Sequence, residues 1–71
     1  MTIEQVLDNL LKLECVKKLV KEIKNDLEND DKDWIKINRI KLRGIIILSK
    51  ELKLIETNMS AYVIIEELIR K

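Results

Sequence analysis

The stretch that decides the fold is "RIKLRGIIILSKEL", Arg39 to Leu52. Its opening, residues 39–43, alternates basic and apolar side chains, as a strand with one exposed face does. Over its whole length, however, the apolar residues recur at helical spacing. The first interpretation gives a strand that could enter a nucleic-acid groove, and the second gives an all-α protein.

The helical interpretation gains support when the pattern is followed in both directions. Successive apolar residues are separated by steps of 3 and 4, with one gap of 8, along Trp34, Ile37, Ile45, Leu48, Leu52, Ile55 and Met59. At about 100° per residue these side chains share one face of a helix. The opposite face carries Lys36, Arg39, Arg43, Lys50 and Lys53. Because two opposed stripes agree on one period, we predict a central helix from about 33 to 56.

Local signals predict the other two helices. The start "MTIEQVLDNL" contains a capping box, Thr2 with Gln5, so a helix is expected to begin at Ile3. Its apolar pattern continues to about 28 but rotates near 12–14, so this helix is either bent there or straight with two packing faces. The segment "ENDDKDW" is the linker, in which Asp31 or Asp33 can cap the central helix.

The last predicted helix covers about 60–70, with Asn58 or Ser60 as its cap. Its expected core stripe is Ala61, Ile64, Ile65 and Leu68. The predicted fold is therefore an all-α three-helix bundle, with helices near 3–28, 33–56 and 60–70, the first either straight or kinked, in a single domain of residues 1–71.

The central helix also has apolar residues on both sides of its main stripe. One flank carries Ile40, Ile47 and Leu54, and the other carries Ile35, Leu42 and Ile46. Three short helices cannot easily cover both flanks, and a domain of 71 residues buries only around 60% of its unfolded surface. We therefore predict a homodimer, with its interface at Ile40, Ile46, Ile47 and Leu54.

Composition restricts the functional classes. The chain is 46% hydrophobic and 38% charged, with no histidine and with Cys15 as its only cysteine. The commonest general base and metal ligand is therefore missing, and no glycine-rich phosphate loop or nucleophile–base pair is recognisable. We expect no catalysis, cofactor, metal or small-molecule substrate. The longest apolar run, Ile45 to Leu48, is far shorter than the roughly 20 residues of a membrane span, and the start lacks signal-peptide features, so a cytoplasmic protein is expected.

Charge is unevenly distributed along the chain. Residues 1–33 hold 6 basic and 9 acidic side chains (−3), whereas residues 34–71 hold 8 basic and 4 acidic ones (+4), which together give the net +1. Within 36–53 the only acid is Glu51. We therefore predict that an acidic partner, either a protein surface or nucleic-acid phosphates, contacts Lys36, Arg39, Arg43, Lys50 and Lys53.

Two resemblances support the nucleic-acid alternative. If 39–43 is a strand, then "GIIILSKELKLIE", "TNMS" and "AYVIIEELIRK" give the helix, turn and helix of a sequence that resembles the ribbon-helix-helix repressors, whose paired strands enter the major groove of DNA. The stretch "LSKELKLIETNMSAYV" resembles the helix-turn-helix motif. In that motif Lys53 stands where the turn glycine usually does, and without a turn former the helix is expected to continue to Glu56.

A third resemblance points to an enzyme. The letters "SKEL", Ser49 to Leu52, resemble the Ser-Gln-Glu-Leu-Asp signature of small sporulation-control phosphatases, but Lys53 replaces the final acid. The resemblance implies a helical hairpin rather than the activity. The sequence thus favours a small non-catalytic regulatory protein that binds another macromolecule through helix faces, with a DNA-binding regulator as the alternative.

Overall fold

The computed structural model describes residues 1–71 as four helices without a strand. They are α1 (Ile3–Leu11), α2 (Glu14–Glu28), α3 (Lys32–Glu51) and α4 (Ala61–Arg70). The all-α prediction is confirmed, but there are four helices instead of three. Residues 39–43 lie inside α3, so the chain has no strand that could form the ribbon of a ribbon-helix-helix protein.

The first predicted helix is divided in two at Lys12 and Leu13. Its start is as predicted: the Thr2 hydroxyl accepts from the Gln5 amide at 3.2 Å, and the Gln5 side chain accepts from the Thr2 amide at 2.9 Å. The backbone of Leu13 is extended, with ψ 123°, so it interrupts the helix. The two apolar faces that are rotated in the sequence therefore belong to separate helices, both of which contribute to one core.

The two longer helices both end in a Schellman motif without glycine. At the end of α2, Asp30 has φ 54°, and the amide of Asp31 donates to the carbonyl of Asp26 at 2.9 Å. At the end of α3, Lys53 has φ 60°, and the amide of Leu54 donates to the carbonyl of Ser49 at 2.9 Å. The left-handed conformation reverses the chain, and the amides that follow then donate to helix carbonyls that would otherwise have no donor.

The motif at Lys53 ends α3 five residues before the predicted end at Glu56, since the helix stops at Glu51. In a continuous helix Ile55 would lie on the same face as Trp34, whereas in the structure it is 1% exposed and belongs to the core. Two side-chain hydrogen bonds, one from α3 and one from α1, fix the backbone of segment 52–60. The Lys50 ammonium donates to the Met59 carbonyl at 2.6 Å, and the Asn9 amide group donates to the Leu54 carbonyl at 3.2 Å.

The predicted apolar stripe of the central helix packs on the core only in part: Ile55 is buried, and Ile45 and Met59 pack against the core. The side of α3 that packs mainly on α2 buries Asn38, Leu42, Ile46 and Ser49. Most of the predicted stripe is instead exposed, namely Trp34, Ile37, Leu48 and Leu52. Two polar side chains can occupy the core because both are bonded: Asn38 donates to the Asp26 carboxylate at 3.0 Å, and Ser49 donates to the Ile45 carbonyl at 2.8 Å.

The observed orientation of α3 also contradicts one residue of the predicted dimer interface. Ile46 is 0% exposed within the core of the chain itself, so a second chain cannot reach it. The other three residues, Ile40, Ile47 and Leu54, are exposed. Their role in an interface stays a prediction.

The last helix follows the prediction closely. The Ser60 hydroxyl accepts from the Val63 amide at 3.3 Å as the N-cap, and all four residues of the expected stripe, Ala61, Ile64, Ile65 and Leu68, are buried. Beyond the helix, the Lys71 ammonium bonds the Asp8 carboxylate of α1 at 3.0 Å. This hydrogen bond raises the pKa of Lys71. None of the four helices combines the length and the hydropathy needed to cross a membrane.

Candidate functional site

A surface groove lies between α3 and α4, and we call it the basic groove. Its volume is about 370 Å³, and eight residues line it: Lys32, Ile35, Lys36, Arg39, Ile40, Arg43, Tyr62 and Ile65. We call its four apolar lining residues the floor, while the four cations come from α3. No residue of α1 or α2 lines the groove, so two helices bound it and its remaining side is open.

The four cations form one row along α3. They follow one another at intervals of four, three and four residues, at positions 32, 36, 39 and 43. This spacing keeps them on one side of the helix over about 16 Å, because each residue advances the helix by 1.5 Å. A ligand that matches the row must therefore present negative charge over about three helical turns.

Arg39 shows how a cation of this row holds a carboxylate. Its guanidinium forms an ion pair with Glu66 of α4 and lies 5.5 Å from the centre of the Tyr62 ring. The aromatic ring and the carboxylate together fix the orientation of the arginine side chain. Tyr62 itself is 67% exposed, so its ring is available to a molecule that enters the groove.

The other three cations of the row have no such partner. The ion pairs of the chain involve only the cations of Lys17, Arg39, Arg70 and Lys71. Lys32, Lys36 and Arg43 are exposed and lie in none of them. Three neighbouring unpaired cations repel one another, and a negatively charged ligand relieves that repulsion.

The structure brings together part of the predicted basic face. Lys36, Arg39 and Arg43 line the groove, whereas Lys50 donates to the loop carbonyl of Met59 and Lys53 forms the left-handed turn. Lys50 thus holds the loop that follows α3, and Lys53 lies where the helix ends. Their contact with a partner stays a prediction.

Sequence reasoning missed two groove residues. Lys32 completes the row of cations, but it lies one residue before the predicted helix start at 33, so the row appeared to begin at Lys36. The spacing of four residues between them is the signal that could have identified it. Tyr62 belongs to α4, and a helical pattern within α4 does not show that its ring meets Arg39 of another helix.

A second exposed surface lies on α3, and we call it the outer face. It consists of the four exposed residues of the predicted core stripe: Trp34, Ile37, Leu48 and Leu52. Lys41 and Gly44 lie between the two pairs on the same side of the helix. The outer face thus has two separate apolar pairs, Trp34 with Ile37 and Leu48 with Leu52, and exposed apolar clusters occur at interfaces.

The remaining chemistry-bearing side chains do not assemble into a site. Ser49 of the "SKEL" stretch is buried, and its hydroxyl is bonded within α3. Cys15 is exposed on α2 as a free thiol. No three acidic or cysteine side chains lie close enough together to hold a metal ion. The functional interpretation therefore depends on the basic groove and the outer face.

Comparisons of the chain with protein-family models, with curated proteins and with solved structures found no match. The geometry and charge of the two surfaces on α3 are thus the basis for a functional proposal.

Proposed function

We propose that this chain is a small non-catalytic regulatory protein of the cytoplasm that binds another protein through the faces of α3, and that it acts as a homodimer. One observation carries the proposal: α3 buries two polar residues, Asn38 and Ser49, while it leaves large apolar residues exposed on its outer face. An isolated chain gains nothing from this distribution, because burial of those apolar side chains would stabilise it. A second protein surface supplies that burial.

The outer face suits a second copy of the same chain. Its apolar residues are arranged almost symmetrically about residue 43, with Trp34 and Ile37 towards one end and Leu48 and Leu52 towards the other. In an antiparallel pair related by a two-fold axis at that point, Trp34 packs on Leu52 of the second copy and Ile37 on its Leu48. Such an isologous contact is the commonest kind in homodimers.

Two observations favour a protein over DNA as the further partner. The floor of the basic groove is apolar, and phosphates gain nothing from Ile35 or Ile65. The helix-turn-helix alternative requires a short turn, whereas residues 52–60 separate α3 from α4. Lys53 does adopt the conformation that the turn glycine of that motif would have, but the second helix begins only at Ala61.

Sedimentation equilibrium and Trp34 fluorescence test the homodimer. We expect the wild-type chain to be a dimer at micromolar concentration, and Trp34 emission to shift to longer wavelength on dilution as water reaches the indole. Leu48→Glu should give a folded monomer, because it places a charge in the interface. Leu27→Glu on α2, an equal change at another exposed leucine, should remain dimeric. A wild-type monomer at every concentration, with constant Trp34 emission, would contradict the proposal.

A further inference from the structure

We infer that the basic groove binds an acidic amphipathic helix of a partner protein. This inference rests on the proposed function, and it names the chemistry of the partner. The apolar residues of that helix would contact the floor, and its carboxylates would contact the unpaired cations Lys32, Lys36 and Arg43.

The floor and the open side of the groove determine the shape of the ligand. The floor is formed by Ile35, Ile40, Ile65 and the ring of Tyr62, which come from two helices only. Because no third element of the chain covers it, an apolar ligand bound there would leave its upper side in water. An amphipathic helix avoids that cost, since its apolar side faces the floor and its polar side faces the solvent.

The row of cations determines the charge of the ligand and its length. Lys32, Lys36 and Arg43 span 12 residues of α3, that is 11 steps of 1.5 Å and thus about 16 Å. A second helix that lies along α3 presents carboxylates with the same repeat when its acids are three and four residues apart. About three turns of such a helix match the whole row.

The ion pair of Arg39 with Glu66 gives an example of this recognition within the chain. Glu66 is a helical carboxylate on α4, and it binds a cation of α3 across a helix–helix contact. A partner helix on the open side would repeat the same contact at the three cations that have none. In exchange it would bury apolar surface at Ile40, which is 61% exposed in the unbound chain.

A peptide-binding experiment with the full chain tests the inference. The probe is a synthetic helical peptide of about 14 residues, roughly 21 Å long, with leucines on one side, glutamates on the other and no aromatic residue. A matched peptide has lysine at every glutamate position, and a short DNA duplex provides the phosphate alternative. The Tyr62 ring signals in NMR report on the groove, and Trp34 fluorescence reports on the outer face.

We expect the acidic peptide to shift the Tyr62 signals without changing Trp34 emission, and its affinity to fall as salt is added. The lysine peptide should not bind. Lys36→Glu with Arg43→Glu should weaken binding roughly tenfold or more, because both contacts become repulsive. Lys18→Glu with Lys21→Glu changes the net charge equally on exposed α2 positions, and it should leave the affinity unchanged.

Three outcomes would overturn the inference: equal binding of both peptides, equal loss of affinity in both double variants, or binding of the DNA duplex alone at the groove. The oligomeric state of the same samples separates this inference from the proposed function. If no peptide shifts Tyr62 while the chain is dimeric, the groove inference fails and the homodimer stands. If the chain is monomeric and binds no peptide, both fail.

Discussion

The inner and outer faces of α3 both combine polar and apolar side chains, and the inner face buries Leu42 and Ile46 as well as two polar residues. The inner face includes Asn38 and Ser49 in the core, while the outer face exposes Trp34, Ile37 and Leu48. The inner polar groups are tolerated because each has a bonding partner, Asp26 and the Ile45 carbonyl. Which face of α3 is buried therefore depends on the groups that its side chains meet in the other helices, and not on the number of apolar residues on that face.

The largest expected effect is the difference in unfolding free energy between two Leu→Ala variants, one on each face of α3. Leu42→Ala should lower the free energy of unfolding by about 2–5 kcal/mol, because it leaves a cavity at a residue that is 0% exposed. Leu48→Ala, the same change on the outer face, should lower it by no more than about 0.5 kcal/mol. Urea unfolding, at concentrations where sedimentation shows a monomer, measures both values. Equal losses would mean that the two faces are not distinguished by burial.

The exposure of the outer face also depends on the left-handed residue that ends α3, Lys53. Lys53→Gly should raise the free energy of unfolding by about 1 kcal/mol, because glycine adopts the left-handed conformation without the steric cost that a lysine has. Lys41→Gly, the same change inside α3, should lower it by about 1 kcal/mol. Thermal or urea unfolding of Lys53→Gly and Lys41→Gly measures whether the two changes in unfolding free energy have opposite signs. A destabilising Lys53→Gly would show that the positive φ does not strain the chain.

Signals that depend on a few neighbouring residues could be predicted from the sequence. The sequence predicts the cap Thr2 and narrows the other two to Asp31 or Asp33 and Asn58 or Ser60, because a cap bonds an amide two or three positions away; the structure has Thr2, Asp31 and Ser60. The end of α3 could not be predicted, since Lys53 is an unusual choice for a left-handed residue and nothing adjacent to it marks a turn. The predicted longer helix placed Ile55 on the same face as Trp34, whereas in the structure Ile55 enters the core from the loop after α3.

The site was predicted in part for the same reason. The repeat of Lys36, Arg39 and Arg43 within one helix is visible in the sequence, because a helix turns about 100° per residue. The ion pair between Arg39 and Glu66 and the position of Tyr62 depend on how α4 packs on α3, and no pattern within one helix contains that information. The orientation of α3 is likewise a tertiary property: the side chain of Asn38 faces α2, where it bonds the Asp26 carboxylate, and no pattern within α3 contains that contact.

The smallest expected effect concerns Gly44, which lies beside the outer face. A Cβ atom added there meets nothing within 4 Å, so Gly44→Ala should raise the stability of the monomer by about 0.5–1 kcal/mol through helix propensity alone. In the antiparallel pair that we propose, Gly44 lies beside Lys41 of the second copy, and the absent side chain leaves room for the lysine stem. The added methyl group should therefore weaken the dimer while it stabilises the monomer. Unfolding in dilute solution measures the first effect and sedimentation equilibrium the second; a variant that gains both monomer stability and dimer affinity would place the two-fold axis away from residue 43.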